Sequence, residues 1–229
     1  MRKGAFGNNG PYPFTIVLAM AIITLGVVNI HAGQPQKPEA SQQSSLLHFG
    51  GREVRIGSNV APLTIVMYYS LTCPHCHDFQ KEEFPKIQKE FIDKNLVLFI
   101  VRDFPTDSSA IKAAKIAWCH GTKQYLSFAQ KLLETQEEWI PKDAQKIKEA
   151  DKALHDIARE LGISDTDYHK CLANENIEAS ILRASFEAQK TYQIDGAPAF
   201  LINGEVYKGE SPFTTETIRK KLLEMNIHE

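Results

Sequence analysis

Two cysteines lie three residues apart in the run Cys73-Pro74-His75-Cys76. At that spacing they can close a disulfide with little backbone movement, and they can equally grip a metal ion. Their position decides what the sulfurs are good for. Just before them, Leu63 to Tyr69 (LTIVMYY) is a near-continuous β-branched and aromatic run, which fits a strand buried on both faces. Just after them, Phe84, Ile87 and Phe91 fall at helical spacing, so the pair opens a helix. Unpaired backbone N–H groups at a helix start favour thiolate over thiol, and His75 adds a cationic or hydrogen-bonding partner. A lowered Cys73 pKa stabilises the dithiol and so makes the disulfide a stronger oxidant. Cys76, one turn further in, is expected to be the more buried sulfur. These considerations make Cys73 the attacked sulfur and Cys76 the resolving one. His75 as a bystander on an exposed turn remains open, and His77 reads as an exposed helix residue.

A metal reading stays open beside the redox one. His75 or His77 would complete a Cys-Cys-His set for zinc or copper, but a structural zinc site wants four ligands and the sequence offers no fourth. No metal and no other cofactor is therefore assigned, and a non-enzymatic metal carrier is kept as the alternative.

The chain has 229 residues, 43% of them apolar, enough for a real core and for one domain carrying an inserted subdomain. A formal net charge of -2 leaves no broad basic surface for nucleic acid. Arg2 and Lys3 precede a charge-free apolar stretch, Phe14 to Val28, in the order of a secretory signal. That stretch falls short of the roughly 20 apolar residues that span a bilayer comfortably. Ile30, two before Ala32, makes a poor cleavage site, so both a removed signal and a permanent anchor are retained. In either case the body of the chain is expected outside the cytoplasm, where disulfides persist.

The elements that position the cysteines follow from periodicity. Val54 to Ile56 reads as a short edge strand and Gly57 to Pro62 as a turn. Pro85 is expected to kink the helix that starts at Cys73. Leu96 to Val101 (LVLFIV) is a second buried strand, closed by Phe104-Pro105. No strand signal follows until Gln193; instead helical periods run through Ile111, Ala114 and Trp118, then Ile147 to Leu161 with Gly162 as the stop, then Tyr168 and Leu172, then Ile177 to Ala188. Ala199 to Ile202, Asn203-Gly204 and Glu205 to Tyr207 make a terminal hairpin, before a last helix over Thr214 to Met225. Strand, helix and strand on a right-handed crossover give a parallel pair, to which the hairpin adds antiparallel strands.

A late Gly196-Ala197-Pro198 before the hairpin is, by itself, an ordinary strand-initiating proline. Joined to the strand and the C-P-H-C helix, it gives a layout that resembles the thioredoxin superfamily. The run Ile65 to Phe79 (IVMYYSLTCPHCHDF) with the long helical insertion is more closely similar to the periplasmic disulfide oxidases of the DsbA type. That resemblance implies an α/β fold: a thioredoxin fold, with a mixed central sheet and an inserted all-helical subdomain. The division is then 1–32 signal or anchor, 33–45 flexible linker, 46–106 first part of the thioredoxin domain, 107–193 helical insertion and 194–229 second part. It also implies that Pro198 is cis against the reactive disulfide, that Ala197 pairs with substrate backbone, and that Pro74 and His75 support the cysteines.

The implied activity is oxidation of unfolded exported proteins in the periplasm by a monomer that a membrane partner reoxidises, with isomerase or reductase as the nearest alternative. Cys119 and Cys171 are read as a structural disulfide, resembling the extra bridge of alphaproteobacterial DsbA-like proteins; two free buried cysteines are the alternative. Two residues depart from the pattern. Met67 stands where many relatives carry an acid beneath the active site, which leaves the proton path of Cys76 unassigned, and Ala197 stands where valine or threonine is common.

Overall fold

The computed structural model describes residues 49–209 and 212–228. The apolar N-terminal stretch and the spacer behind it lie outside the described residues. Among the described residues, no helix is long and apolar enough to cross a membrane.

The two apolar runs form the centre of a five-stranded sheet. Strand β1 is Val54–Ile56, β2 is Leu63–Tyr69 and β3 is Val97–Asp103. Every residue of β2 and β3 is buried, as expected of strands covered on both faces. They run parallel, with Tyr69 opposite Asp103 at their C-terminal ends. Strand β1 pairs antiparallel with the outer side of β3. Strand β4, Ala199–Ile202, pairs antiparallel with β2, and β5, Glu205–Val206, closes the order β1-β3-β2-β4-β5. Asn203 and Gly204 turn the hairpin with φ of 49° and 93°, the left-handed pair that a tight hairpin needs. The Asn203 side chain also accepts a 2.8 Å hydrogen bond from the Thr64 N–H, which ties the turn to the start of β2.

Alternation along the strands builds two cores. On one face Ile65, Met67, Tyr69, Phe99 and Val101 meet Cys76, Phe79, Ile87 and the insertion. On the other, Val66, Tyr68, Leu98 and Ile100 meet Ala188 and Ile194. The segment after Cys73 is helix α1, Pro74–Glu82, then helix α2, Phe84–Ile87, then a wide π turn, Gln88–Ile92. The break falls at Glu83 rather than at Pro85. Pro85 sits in the first turn of α2, where its missing N–H removes no hydrogen bond. Phe79 clamps α1 to the sheet, its ring 5.1 Å from that of Phe200 and 6.2 Å from that of Phe99. Burying one such ring contributes roughly 1.5–3 kcal/mol.

Helices α3 (Ser108–Ala117), α4 (Thr122–Glu134), α5 (Gln136–Trp139), α6 (Ile147–Glu160), α7 (Asp165–Leu172) and α8 (Glu175–Tyr192) fill the stretch between β3 and β4. The Asp107, Ser164 and Asn174 side chains cap α3, α7 and α8 by accepting from backbone N–H groups of the first turn. Helix α9, Thr215–Glu224, follows the hairpin and buries Ile218 and Leu222.

Candidate active site

Cys73 is the N-cap of α1, with extended backbone (φ -83°, ψ 120°), and Pro74 takes the first helical position. Its carbonyl already accepts from the N–H groups of Cys76 and His77, at 3.1 and 3.2 Å, so the chain turns from strand into helix at this residue. Both sulfurs are free thiols. Cys73 keeps 9% of its surface in solvent while Cys76 keeps none, and Pro74 and His75 are exposed. The Cys73 thiol donates to the carbonyl of Ala197 at 3.2 Å, and the Ala197–Pro198 peptide is cis. Residues 124 positions apart in sequence therefore meet at one sulfur.

The insertion reaches into this loop. The Gln136 amide donates to the carbonyl of Leu71 at 2.7 Å and to that of Cys73 at 3.2 Å. Trp139, on the same short helix as Gln136, is buried, and its indole N–H donates to the Leu132 carbonyl at 2.7 Å. Thr72 donates to the Asp107 carboxylate, which also caps α3.

Beneath the cysteines lies a buried polar cluster. Asp103, at the end of β3, accepts 2.6 Å hydrogen bonds from the Trp118 indole N–H and from the Tyr125 hydroxyl. The Tyr125 hydroxyl is in turn hydrogen-bonded to that of Tyr69. Burial pushes the Asp103 carboxyl up to about 6, against the opposing pull of those two donors. The phenols of Tyr69 and Tyr125 are pushed well up, mainly by burial.

A family model described as thioredoxin matches residues 50–223. The chain belongs to the thioredoxin family. A Rickettsia conorii protein named as a protein-disulfide oxidoreductase is 30% identical over 199 residues, which is 86% of this chain and 70% of that protein. Disulfide bond formation protein D of Bacillus subtilis is 28% identical over 181 residues, 73% of this chain and 76% of that one. Among solved structures, Wolbachia pipientis alpha-DsbA1 shares the fold with a TM-score of 0.64 at 22% identity, over 81% of this chain and 95% of that one. This member of the thioredoxin family is a thiol:disulfide oxidoreductase, and its mixed sheet with inserted helices is the thioredoxin fold.

In this oxidoreductase the Cys73 thiol is pulled down to about 6. The largest cause is the Cys76 thiol, which donates to a Cys73 thiolate; the backbone N–H groups of Cys76 and His75 and the charge of His75 act in the same direction, while burial opposes them. Cys76 is driven the other way, first by burial and then by the neighbouring Cys73 sulfur. The two thiols thus differ, Cys73 favouring the thiolate and Cys76 keeping its proton.

Cys119 and Cys171 are disulfide-bonded, with Cα atoms 5.5 Å apart, joining the end of α3 to α7. Among the described residues, no three His, Cys, Asp or Glu side chains converge as a metal set would. Met67 is buried on the same face as the cysteines and brings no titratable atom there. Asp103, Tyr125 and Gln136 are absent from the sequence reading. The Tyr125, Phe128, Ala129, Leu132 and Leu133 spacing announces α4, whereas nothing local marks Gln136.

Proposed function

We propose that this oxidoreductase works in the oxidising direction, passing the Cys73–Cys76 disulfide to thiols of unfolded exported proteins in the periplasm. The observation that carries the reading is the asymmetry of the two sulfurs. One lies at a helix N-cap, reachable from solvent and stable as thiolate; the other is buried and holds its proton. A substrate thiolate attacks Cys73 Sγ and Cys76 leaves. A second substrate thiolate then attacks the substrate sulfur of the mixed disulfide, forming the substrate's disulfide and releasing Cys73 as thiolate. Because that thiolate is stabilised, the dithiol enzyme is favoured and the disulfide is a good donor. The Ala197 carbonyl beside the Cys73 sulfur supports a role in holding extended substrate backbone. A membrane partner that accepts two electrons would restore the disulfide, and one copy of the chain suffices for each turnover.

Oxidation of a reduced two-cysteine peptide tests the roles. Cys73→Ser is expected to abolish exchange; Cys76→Ser, offered the same peptide in its disulfide form, is expected to accumulate a mixed disulfide, because the Cys73 thiolate opens the peptide disulfide and no second sulfur resolves the product. Full turnover by Cys76→Ser, or capture of the peptide by Cys73→Ser through Cys76, would assign the sulfurs the other way.

A further inference from the structure

The backbone of Cys73 is held at both of its polar groups. Its N–H donates to the Ser70 carbonyl at 3.1 Å, and its carbonyl accepts from the N–H groups of Cys76 and His77 at 3.1 and 3.2 Å. Those bonds are local and come with the turn from strand into helix α1. The bonds from Gln136 are of another kind. Its side-chain amide meets the carbonyls of Leu71 and Cys73 at 2.7 and 3.2 Å, from 65 and 63 positions away in sequence. One planar group thus ties both ends of the Leu71–Thr72–Cys73 turn to the insertion.

Counting protons fixes which way that amide faces. Two carbonyl oxygens bring no proton, so the atom between them must be the nitrogen, which has two. The support behind it is firm: the Gln136 carbonyl accepts from the Ile140 N–H at 3.0 Å, and Trp139 on the same helix is buried. Thr72, the middle residue of the turn, has its own bond to Asp107, so the turn carries a second and independent tether.

The amide bonds are made while both sulfurs are free thiols. In the closed disulfide the S–S bond itself fixes the Cys73 sulfur relative to Cys76. In the open form the place of that sulfur depends on how firmly its turn is held. We propose that Gln136 is a positioning residue for disulfide closure, holding the Leu71–Cys73 turn so that the Cys73 sulfur stays within reach of Cys76 while the S–S bond is open. This deepens the roles proposed for the two cysteines and rests on them. In a mixed disulfide at Cys73, the Cys76 thiolate attacks Cys73 Sγ, the internal S–S bond forms, and the departing thiolate carries the electron pair away. A fixed turn raises the effective concentration of one sulfur at the other and speeds that step. Opening starts from a ring already fixed by its covalent bond, and the amide gives it no comparable help.

The test follows closure of a glutathione mixed disulfide on Cys73. Gln136→Met keeps the length of the side chain and removes both donors. It should slow closure at pH 7 about tenfold, the rate factor of one net hydrogen bond, and leave opening by glutathione unchanged. The glutathione equilibrium should then move by the same factor toward the dithiol, which is about 30 mV toward oxidant. Gln136→Glu adds a pH signature. Its carboxylate has no proton for either carbonyl and should slow closure at least as much, whereas the protonated carboxyl can donate one bond. The ratio of its closure rate to that of the unaltered protein should therefore recover as pH falls toward the carboxyl's ordinary value of about 4.3. The Gln136→Met ratio should stay flat. Either variant alone decides the closure rate, so the test survives if one of them fails to fold. Lower stability in denaturant with closure and potential unchanged would make Gln136 a structural residue and overturn the proposal. A Gln136→Glu ratio that does not recover at low pH would also overturn it. If the unaltered protein forms no mixed disulfide or never closes it, the sulfur roles fail, and the positioning role falls with them.

Discussion

Replacing Cys76 with alanine tests how the fold activates Cys73. The hydrogen bond from the Cys76 thiol is the largest of the causes that bring the Cys73 thiol from 9.0 down to about 6. A hydrogen bond to a charged group is worth about 1.5–3 kcal/mol, which is about one to two pKa units. Cys76→Ala should therefore lift the Cys73 midpoint to between about 7 and 8. It should remain below 9.0, because the N–H groups of His75 and residue 76 and the His75 charge persist. Thiolate absorbance against pH measures this directly, since Cys73 is then the one free thiol. His75→Ala, which removes the smallest of these causes, should move the midpoint less. A Cys76→Ala midpoint still at 6, or a larger shift from His75→Ala, would refute this ordering. The consequence for redox poise has a definite sign. The folded pKa is depressed, so the stabilisation of the dithiol form is complete above 9.0, partial at neutrality, and lost as pH falls through about 6. At pH 7 it amounts to about 1.4 kcal/mol before screening; at a sulfur open to solvent on one side about 1 kcal/mol remains, equivalent to about 20 mV toward oxidant.

The Cys119–Cys171 bridge closes a loop of 52 residues, so Cys119→Ser should lower unfolding stability by about 4 kcal/mol in the chain-entropy model. The Cys73 titration should stay unmoved; a shift there would mean that the bridge shapes the site. Gln136→Ala removes the donor shared by the Leu71 and Cys73 carbonyls and should cost about 1–2 kcal/mol in denaturant unfolding; no loss would leave those carbonyls adequately solvated. For Asp103 the folded pKa is raised, from 3.8 to about 6. Its stabilising contribution is thus full below about 4 and lost as pH rises through about 6, a decline of about 3 kcal/mol by pH 7. Asp103→Asn should flatten that decline, and an identical pH slope in the variant would show that another group titrates.

Much of this was legible from local pattern. The β-branched runs announced β2 and β3, the Asn-Gly pair announced the hairpin, and Cys73 at a strand-to-helix junction announced the sulfur chemistry. What stayed hidden depends on partners distant in sequence. The apolar run that predicts β3 ends at Val101, yet the strand runs to Asp103. Arg102 is buried because Glu53 and Tyr68 meet it, and Asp103 because Trp118 and Tyr125 do. No periodicity in the strand encodes those partners. Met67 stands where many relatives carry an acid; the buried acid of this chain, Asp103, lies on the neighbouring strand, opposite Tyr69.

Equilibration of Cys73–Cys76 with glutathione buffers tests the central claim most directly. The oxidising role predicts a potential above about -200 mV, of which the stabilised Cys73 thiolate supplies about 20 mV. A value near that of a reductant such as thioredoxin, about -270 mV, would contradict it.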